Sequence, residues 1–256
     1  MKRAVAPELD GSESTKGART IAEWVYRRLR DDIVHLRLEP DQPLRFDFLR
    51  DRYGVGVSPL REALTRLAAE RMVVAIGQRG FRVAPISAAE AIDLLRARIL
   101  VESEALEQSI ARGDLAWEAA LNAAFWRLSR TPVPRGDASG NREWADAHRG
   151  FHRALLEASG SPWLLTFAEL LFEQAERYRM LRVARTPRAD LYRDVTAEHE
   201  ELLRAALARD AEKAKAALAL HYTRTVDAVT SALAAPPAPR KRKSTPARGG
   251  RTPVRA

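Results

Sequence analysis

Two histidines four residues apart are the side chains of this sequence best suited to chemistry. His148 and His152 lie in the segment HRGFHRALLEASGSPWL of a chain that has five histidines and no cysteine. Positions i and i+4 of a helix are neighbours about 5–6 Å apart, so one metal ion can bridge two imidazoles at this spacing. Because cysteine is absent, a metal must be held by histidine, aspartate or glutamate side chains.

Two further histidines fall on apolar helical stripes in the same half of the chain, whereas the fifth, His35, lies off the stripe of its helix. A buried imidazole needs partners for its nitrogens. For one such histidine, a hydrogen-bonded core residue is the ordinary interpretation, but four in one core favour metal ligation. Zn²⁺ and Ni²⁺ suit imidazole ligands, and the predicted ligands are His148, His152, His199 and His221.

The residues around the histidine pair argue against catalysis. A zinc-protease helix reads His-Glu-x-x-His and uses its glutamate as a general base, but the residue after His148 is Arg149. Glu143 and Asp146 are predicted to point away from the histidines. The sequence has neither a Gly-rich phosphate loop nor a Gly-x-Ser-x-Gly elbow. We predict no catalytic residues and no enzyme activity.

The elements that carry these histidines are predicted to be helices. After Pro85 the apolar residues recur with helical spacing, and no strand pattern is found. The breaks between apolar stripes predict helices at 88–112, 114–130, 141–158, 162–185, 188–208 and 211–234. Residues 88–235 are therefore predicted to form an all-α bundle of six or seven helices.

The chain before this bundle has a different layout, three helices followed by a β-hairpin. One helix starts at Thr20 and a short second helix ends at Gly54. The third has Ser58 as its predicted N-cap and Pro59 at its first position. Two short strands then flank a turn at 77–80. This order is typical of a winged helix-turn-helix, assigned to residues 19–86, and the fold class is mainly α.

Polar side chains on the third helix and at the hairpin tip are suited to binding nucleic acid. The second helix of a helix-turn-helix enters the major groove. Arg61, one turn from the start of that helix, can reach a phosphate or the edge of a guanine. A solvated arginine-rich surface is the alternative for any single residue of the set. The predicted DNA-binding residues of this helix and hairpin are Ser58, Pro59, Arg61, Thr65, Arg66, Gln78, Arg79 and Gly80.

The two ends of the chain are predicted to be disordered. Residues 1–18 are polar and lack a secretory hydrophobic region. Residues 236–256 are rich in lysine, arginine and proline and contain no acid, which favours either a solubilising tail or salt-sensitive attraction to phosphates. No apolar run approaches the ~20 residues of a membrane span. We expect a cytoplasmic protein without a membrane segment.

The stretch YGVGVSPLREALTRLAAERMVVAIGQRGFRVAPIS resembles the DNA-binding domain of the GntR family of bacterial regulators. The resemblance covers about residues 20–86 and is carried by Pro59, Arg61, Glu62, Ala63, Leu64, Leu67, Gly80 and Val83. Val57 stands where the family usually has an arginine, and Arg71 stands where it usually has a glycine. The family's operator preference is therefore not carried over, and Arg45 is a candidate for a substitute contact. The segment GVSPLREAL is weakly similar to carbon-starvation-type regulators, which suggests a small dicarboxylate.

Residues 90–232 resemble the FCD subfamily of ligand-sensing domains, which accompany GntR DNA-binding domains. The subfamily pattern Asp-x-x-Phe-His, with two later histidines, matches Phe151 and the four histidines named above, with His148 in place of the aspartate. A site without that carboxylate is one charge more positive, which favours an anionic ligand. The resemblance also implies an arginine that binds the effector's carboxylate. Arg98 and Glu102 match it, and a structural ion pair is the alternative.

The expected function is therefore transcriptional regulation, most simply repression. A homodimer would bind a palindromic site on double-stranded operator DNA. A small carboxylate effector bound at the metal would control DNA affinity. Two alternatives stay open: a metal-dependent enzyme fused to a DNA-binding module, and a regulator whose metal site is purely structural.

Overall fold

The computed structural model describes residue 18 and residues 20–77, 80–133, 141–185 and 194–234. Nearly all of the predicted N-terminal arm (1–18), the whole C-terminal tail (236–256), and Gln78 and Arg79 lie outside the described residues. None of the described helices is long and apolar enough to cross a membrane.

The N-terminal domain is the winged helix-turn-helix that the sequence predicts. Its elements are α1 (Ile21–Val34), β1 (Pro43–Leu44), α2 (Phe46–Tyr53), α3 (Val57–Ala69), β2 (Val73–Ala75) and β3 (Phe81–Val83). The three strands form an antiparallel sheet of order β1-β3-β2. Strand β1 was not predicted from the sequence, because a two-residue strand has no alternation to detect and exists only through its pairing with β3.

Local sequence explains most of the boundaries in this domain. The Thr20 side chain caps α1 by accepting from Glu23 N at 3.1 Å. Gly54 ends α2 in the left-handed conformation, with φ 67°. Arg71, at the position where the resemblance expects glycine, also has a positive φ of 58°. The left-handed conformation is thus kept at Arg71 although its Cβ makes it unfavourable.

The prediction that Ser58 caps α3 is wrong. The cap residue is Gly56, in extended conformation, so that α3 begins at Val57 and Ser58 is already helical. Pro59 is then the third helical residue rather than the first. Its missing N–H still costs no hydrogen bond, because amides of the first turn have no acceptor within the helix.

The C-terminal domain is an all-α bundle in the part of the chain that the structure describes. Its helices are α4 (Ala88–Arg112), α5 (Leu115–Arg130), α6 (Asn141–Leu156), α7 (Pro162–Arg185), α8 (Val195–Leu207) and α9 (Ala211–Ala234). A 3₁₀ turn at Glu157–Ser159 extends α6. The helix predicted from 188 begins at Val195 in the described residues, and residues 188–193 lie outside them. Asp194 caps α8 by accepting from Ala197 N at 2.9 Å.

Apolar side chains from the helices that carry the four histidines share one core cluster. α4 packs against both α7 and α9, and α6 packs against α5 and α7. Leu106, Phe151, Leu202 and Leu218 are buried at the centre of the same apolar cluster. Each lies on the stripe of its own helix, so burial of these stripes turns the histidines beside them inward as well.

The two domains meet along α7. The Gln174 side chain donates to the Glu70 carbonyl oxygen, and Arg177 Nη2 donates to the Ala84 carbonyl oxygen at 2.5 Å. Arg142 of α6 also pairs with Asp31 of α1 at 2.9 Å. These contacts are polar, as is common for interfaces between domains of one chain.

Candidate metal centre

Four histidines from three helices converge inside the C-terminal bundle. Each of His148 and His152 (α6), His199 (α8) and His221 (α9) offers a ring nitrogen, and the four nitrogens lie within 4.8 Å of one another. All four side chains are buried. The i,i+4 pair on α6 is thus completed by one histidine from each of the last two helices.

The spacing of the ring nitrogens suits a metal ion. His152 Nε2 and His199 Nε2 are 3.3 Å apart. Zn–N bonds of 2.0–2.1 Å in a tetrahedral shell place neighbouring ligand nitrogens about 3.3–3.4 Å apart. The donor set therefore fits a first-row ion that prefers imidazole, and the predicted ligands are the residues that the fold brings together.

Partners outside the cluster orient two of the rings. Glu198 Oε2 lies 2.8 Å from His221 Nδ1, so Nδ1 donates to the carboxylate and Nε2 carries the ring's lone pair. The Tyr222 hydroxyl donates to Glu102 and lies 3.1 Å from His152 Nδ1. Because the hydroxyl hydrogen is used for Glu102, His152 Nδ1 is the donor in this contact, and Nε2 again carries the free lone pair.

His148 has a different environment from the other three histidines. Its ring stacks on Trp144 with centroids 4.5 Å apart, and its buried Nδ1 has no hydrogen-bond partner. The Glu176 carboxylate is 4.0 Å from this nitrogen, beyond hydrogen-bond distance. A buried polar nitrogen without a partner is costly, and a cation at the cluster is a group that would satisfy such a nitrogen.

The electrostatics of the cluster favour neutral imidazoles. Burial, reinforced by the neighbouring rings, lowers the pKa of His148 and of His152 well below the usual value. Both rings are therefore neutral at pH 7, and neutral imidazole is the form that ligates a metal. Burial likewise raises the pKa of Tyr222 well above its usual value, which keeps its hydroxyl protonated as the donor to Glu102.

The two residues predicted to recognise an effector form a buried ion pair beside the cluster. Arg98 Nε donates to Glu102 Oε1 at 2.7 Å, and the guanidinium carbon lies 3.9 Å from the centre of the Tyr222 ring. Burial lowers the pKa of Arg98, but the charge of Glu102 outweighs this and raises it. Arg98, Glu102, Tyr222 and His152 thus form one connected network that ends at a predicted metal ligand.

A cavity of about 350 Å³ opens directly beside the histidines. It is lined by His152 of the cluster, by Glu102, and by two arginines of α6, Arg149 and Arg153. The remaining lining residues are Leu156, Leu165, Thr166, Ala168, Glu169 and Phe172. This volume lies within the range of small-molecule sites. A much smaller cavity of about 50 Å³ lies on the other side of the cluster, where Arg98, His148 and Arg179 line it.

Most of the predicted DNA-binding residues that the structure describes are exposed. Ser58, Arg61 and Thr65 of α3 are exposed, and the Arg61 guanidinium lies 5.1 Å from the centre of the Phe46 ring. Arg45 is exposed just before α2, Pro59 is half-buried on α3, and Gly80 has the positive φ, 100°, that a tight hairpin requires.

Arg66 is more constrained than the other residues of this set. Its guanidinium pairs with Glu23 at 2.8 Å and with Glu70 at 3.3 Å, and it stacks on Tyr26 at 3.6 Å. A phosphate contact by Arg66 would have to compete with two carboxylates. Gln78 and Arg79, at the hairpin tip, lie outside the described residues.

A winged helix-turn-helix joined to an all-α domain with a buried histidine cluster defines a DNA-binding regulator with a sensing domain. Comparison with protein families supports this class. The model described as "Bacterial regulatory proteins, gntR family" matches residues 21–83, and the FCD domain model matches residues 93–224. The chain belongs to the GntR family of bacterial transcriptional regulators and carries an FCD domain.

Two relatives match over most of the chain. The HTH-type transcriptional repressor GlaR of Escherichia coli K12 is 37% identical over 210 residues, which cover 82% of this chain and 96% of that protein. The HTH-type transcriptional regulator BphR of Paraburkholderia xenovorans LB400 is 38% identical over 218 residues, which cover 82% of this chain and 86% of that protein.

Solved structures show the same fold. A GntR-family regulator from Pseudomonas syringae pv. tomato is 29% identical, with a TM-score of 0.50, and the match covers 83% of this chain and 85% of that one. E. coli McbR/YncC has a higher TM-score, 0.67, at 21% identity, and covers 83% of this chain and 98% of its own. At that identity the likeness concerns the fold alone.

Several residues of the site were not predicted from the sequence. Glu198 and Tyr222, which orient histidines, each adjoin a histidine in the chain, but a polar residue beside a stripe carries no signal of its partner. The buried Glu176–Arg179 pair of α7, with N–O distances of 2.8 and 2.6 Å, reads in the sequence as an ordinary solvated i,i+3 pair. Only the packing of α7 against α6 shows that it is buried.

Proposed function

We propose that this regulator responds to a small carboxylate bound at a divalent metal ion, Zn²⁺ or Ni²⁺, in the C-terminal domain. The observation that carries the proposal is the position of the cavity, which borders His152 of the four-histidine cluster. The ion would be held by the four imidazoles and would supply a Lewis-acidic centre for the carboxylate. This position favours a sensing site over a purely structural one, since a closed shell without an adjoining cavity has no place for a ligand.

The charge balance around the cluster indicates an anionic ligand. The four predicted ligands are neutral, so the ion's charge is not reduced within the ligand set. Three nearby ion pairs, Arg98–Glu102, Arg179–Glu176 and Arg224–Glu198, each have no net charge. A cation buried among neutral groups is stabilised by a counter-charge, and a carboxylate entering the cavity supplies one. We propose that it also competes with Glu102 for Arg98.

The output of the site would be DNA affinity. We propose a homodimer in which two α3 helices lie one turn of DNA apart on a palindromic operator, with repression as its effect. An exposed apolar patch on α7 supports self-association: Trp163 is 73% exposed and stacks on Phe167 with centroids 6.0 Å apart. Effector binding changes operator affinity only if the two dimer geometries bind the carboxylate unequally.

The test combines metal analysis with ligand binding on purified full-length protein. The wild type is expected to contain about one Zn²⁺ or Ni²⁺ per chain and to be stabilised in thermal unfolding by one or more of acetate, succinate and citrate. The double variant His152→Ala plus His199→Ala should lose both the metal and the stabilisation. His35→Ala, which removes a histidine of α1, should lose neither. A double variant that keeps its metal and its response to the acids would refute the proposal.

A further inference from the structure

Arg149, the residue that follows His148, contacts both the cavity and α7. Its guanidinium lines the cavity beside His152 and lies 5.4 Å from the centre of the Phe172 ring. The same group pairs with Glu173 at 3.0 Å and with Glu169. With 31% of its side chain exposed, Arg149 lines the cavity while it holds two carboxylates of α7.

Glu173 connects Arg149 to the DNA-binding domain. Arg30 of α1 donates from Nε to Glu173 Oε2 at 3.2 Å and pairs through Nη2 with the other oxygen. Both side chains are largely shielded from solvent, so salt screens this pair less than it screens an ion pair on the open surface. One carboxylate therefore accepts from two guanidinium groups, one in each domain.

We propose that Arg149 binds the carboxylate of the effector and, through Glu173, transmits that binding to α1. The inference rests on the function proposed above, in which a carboxylate occupies the cavity. An anion beside Arg149 competes with Glu173 for the same N–H donors, so the Arg149–Glu173 pair weakens and Glu173 is left to Arg30. The free and bound states then differ in a contact between the domains, and such a difference is what coupling requires.

Arg153 provides a matched control on the same helix. It lines the same cavity, but it pairs with Glu157 at 3.0 Å, within its own domain, and 66% of its side chain is exposed. Replacing Arg153 removes a guanidinium from the cavity and leaves the contact between Glu173 and Arg30 untouched. A response that depends only on positive charge in the cavity would be sensitive to both arginines.

The test uses zinc-loaded full-length protein and its Arg149→Gln, Arg153→Gln and Glu173→Gln variants. Acetate, succinate and citrate are titrated by calorimetry. The response of the DNA-binding domain is the change in hydrogen–deuterium exchange of residues 21–34 on adding the acid that binds the wild type most tightly. Zinc content and thermal unfolding establish that each variant is folded.

Arg149→Gln is expected to weaken binding at least tenfold and to abolish the change in exchange, whereas Arg153→Gln keeps the change. Glu173→Gln is expected to bind the acid at least as tightly as the wild type, because the competing carboxylate is gone, and to lose the change in exchange. If Arg149→Gln unfolds, Arg149→Lys replaces it, with reduced affinity and a reduced change expected, since lysine keeps the charge without the planar fork.

Three results would overturn the inference. If Arg149→Gln keeps wild-type affinity and the full change in exchange, Arg149 has no such role, while carboxylate binding by the domain stands. If Glu173→Gln keeps the full change, the route through Glu173 is refuted. If the zinc-loaded wild type binds none of the three acids, the proposed function itself fails, and the inference fails with it.

Discussion

At the scale of single residues, His148 makes the predicted ligand set entirely neutral. The resemblance to FCD domains expects an aspartate at this position, and the structure shows an imidazole stacked between Trp144 and the rest of the cluster. Arg179 covers the other part of the Trp144 surface, 4.7 Å from a ring centre. The histidine is therefore packed tightly, and the neutral ligand set is part of the structure of the core.

Restoring the carboxylate tests whether this neutrality favours an anionic effector. His148→Asp is expected to keep the metal but to weaken carboxylate binding, because the site becomes one charge less positive. One unit charge about 5 Å away in a protein-like dielectric is worth on the order of 1–3 kcal/mol, or about 5- to 150-fold in affinity. Metal analysis and calorimetry with acetate, succinate and citrate measure both quantities.

The control for this substitution is His148→Gln, which removes the imidazole without adding a charge. It should weaken metal retention more than it changes the affinity of the zinc-loaded protein for the acid. Unchanged or tighter carboxylate binding by His148→Asp would show that the charge of the ligand set does not select the effector.

At the scale of elements, α7 is the helix that contacts both the histidine cluster and the DNA-binding domain. Phe172, Glu176 and Arg179 face the histidine cluster and its cavities, whereas Glu173, Gln174 and Arg177 contact the DNA-binding domain. Residues three and four apart on a helix share a face, so one helix can present the two sets in different directions. We therefore expect a shift of α7 caused by a ligand to change its contacts with the DNA-binding domain.

The turn between α6 and α7 contains a glycine, Gly160, in the left-handed backbone conformation. Gly160 has a φ of 68°, and a Cβ there would lie 2.8 Å from Arg112 Nη1. Gly160→Ala is expected to destabilise the protein by about 1–2 kcal/mol, because an L-residue is strained in the left-handed conformation. Urea unfolding of the full-length protein, followed by circular dichroism, measures the change.

Gly150 of α6 is the matched control for Gly160. A Cβ at Gly150 meets nothing within 4 Å, and alanine is the better helix former by about 1 kcal/mol. Gly150→Ala should therefore stabilise the protein by up to about that amount. If both variants have a lower free energy of unfolding, the loss in Gly160→Ala cannot be assigned to the left-handed conformation of the turn.

At the scale of the whole molecule, Asp31 is a second point where the domains are joined by charge. Burial acts to raise the pKa of Asp31, but the hydrogen bond from His35 and the charges of Arg142 and Arg37 lower it to about 2. The bond to Asp31 raises the pKa of His35 above its usual value despite partial burial. Between these two pKa values both partners are charged, so the pair stabilises the folded state in that range.

The pH dependence of Asp31→Asn follows from these directions. The stabilisation by Asp31 is present above its unfolded-state pKa, near 4, and the stabilisation by His35 is lost as the pH rises through its raised pKa. Asp31→Asn is therefore expected to lower the free energy of unfolding more at pH 6 than at pH 9, as urea unfolding at both pH values can measure. Asp47→Asn, at a 97% exposed side chain, should show no such difference. An equal loss at both pH values for Asp31→Asn would contradict the role of His35.

The class of fold, the order of the helices and the four histidines of the cluster could be predicted from the sequence alone. These features depend on local periodicity: apolar stripes mark the helices, and a histidine on a stripe is turned inward by the burial of its neighbours. Two details of the predicted elements were wrong or missing. Gly56 rather than Ser58 caps α3, and β1 is defined only by its partner strand, because caps and short strands depend on tertiary context.

The surroundings of those histidines could be known only from the packed fold. The partners Glu198 and Tyr222, the cavity beside His152, and the pairing of Glu173 with both domains all join residues from different helices. A hydrogen bond or ion pair between helices depends on the distance and angle at which they pack, and no spacing within one helix encodes that distance. The sequence therefore predicted the candidate ligands. The packing of α6, α7 and α9 showed which side chains lie between the histidines and the DNA-binding domain.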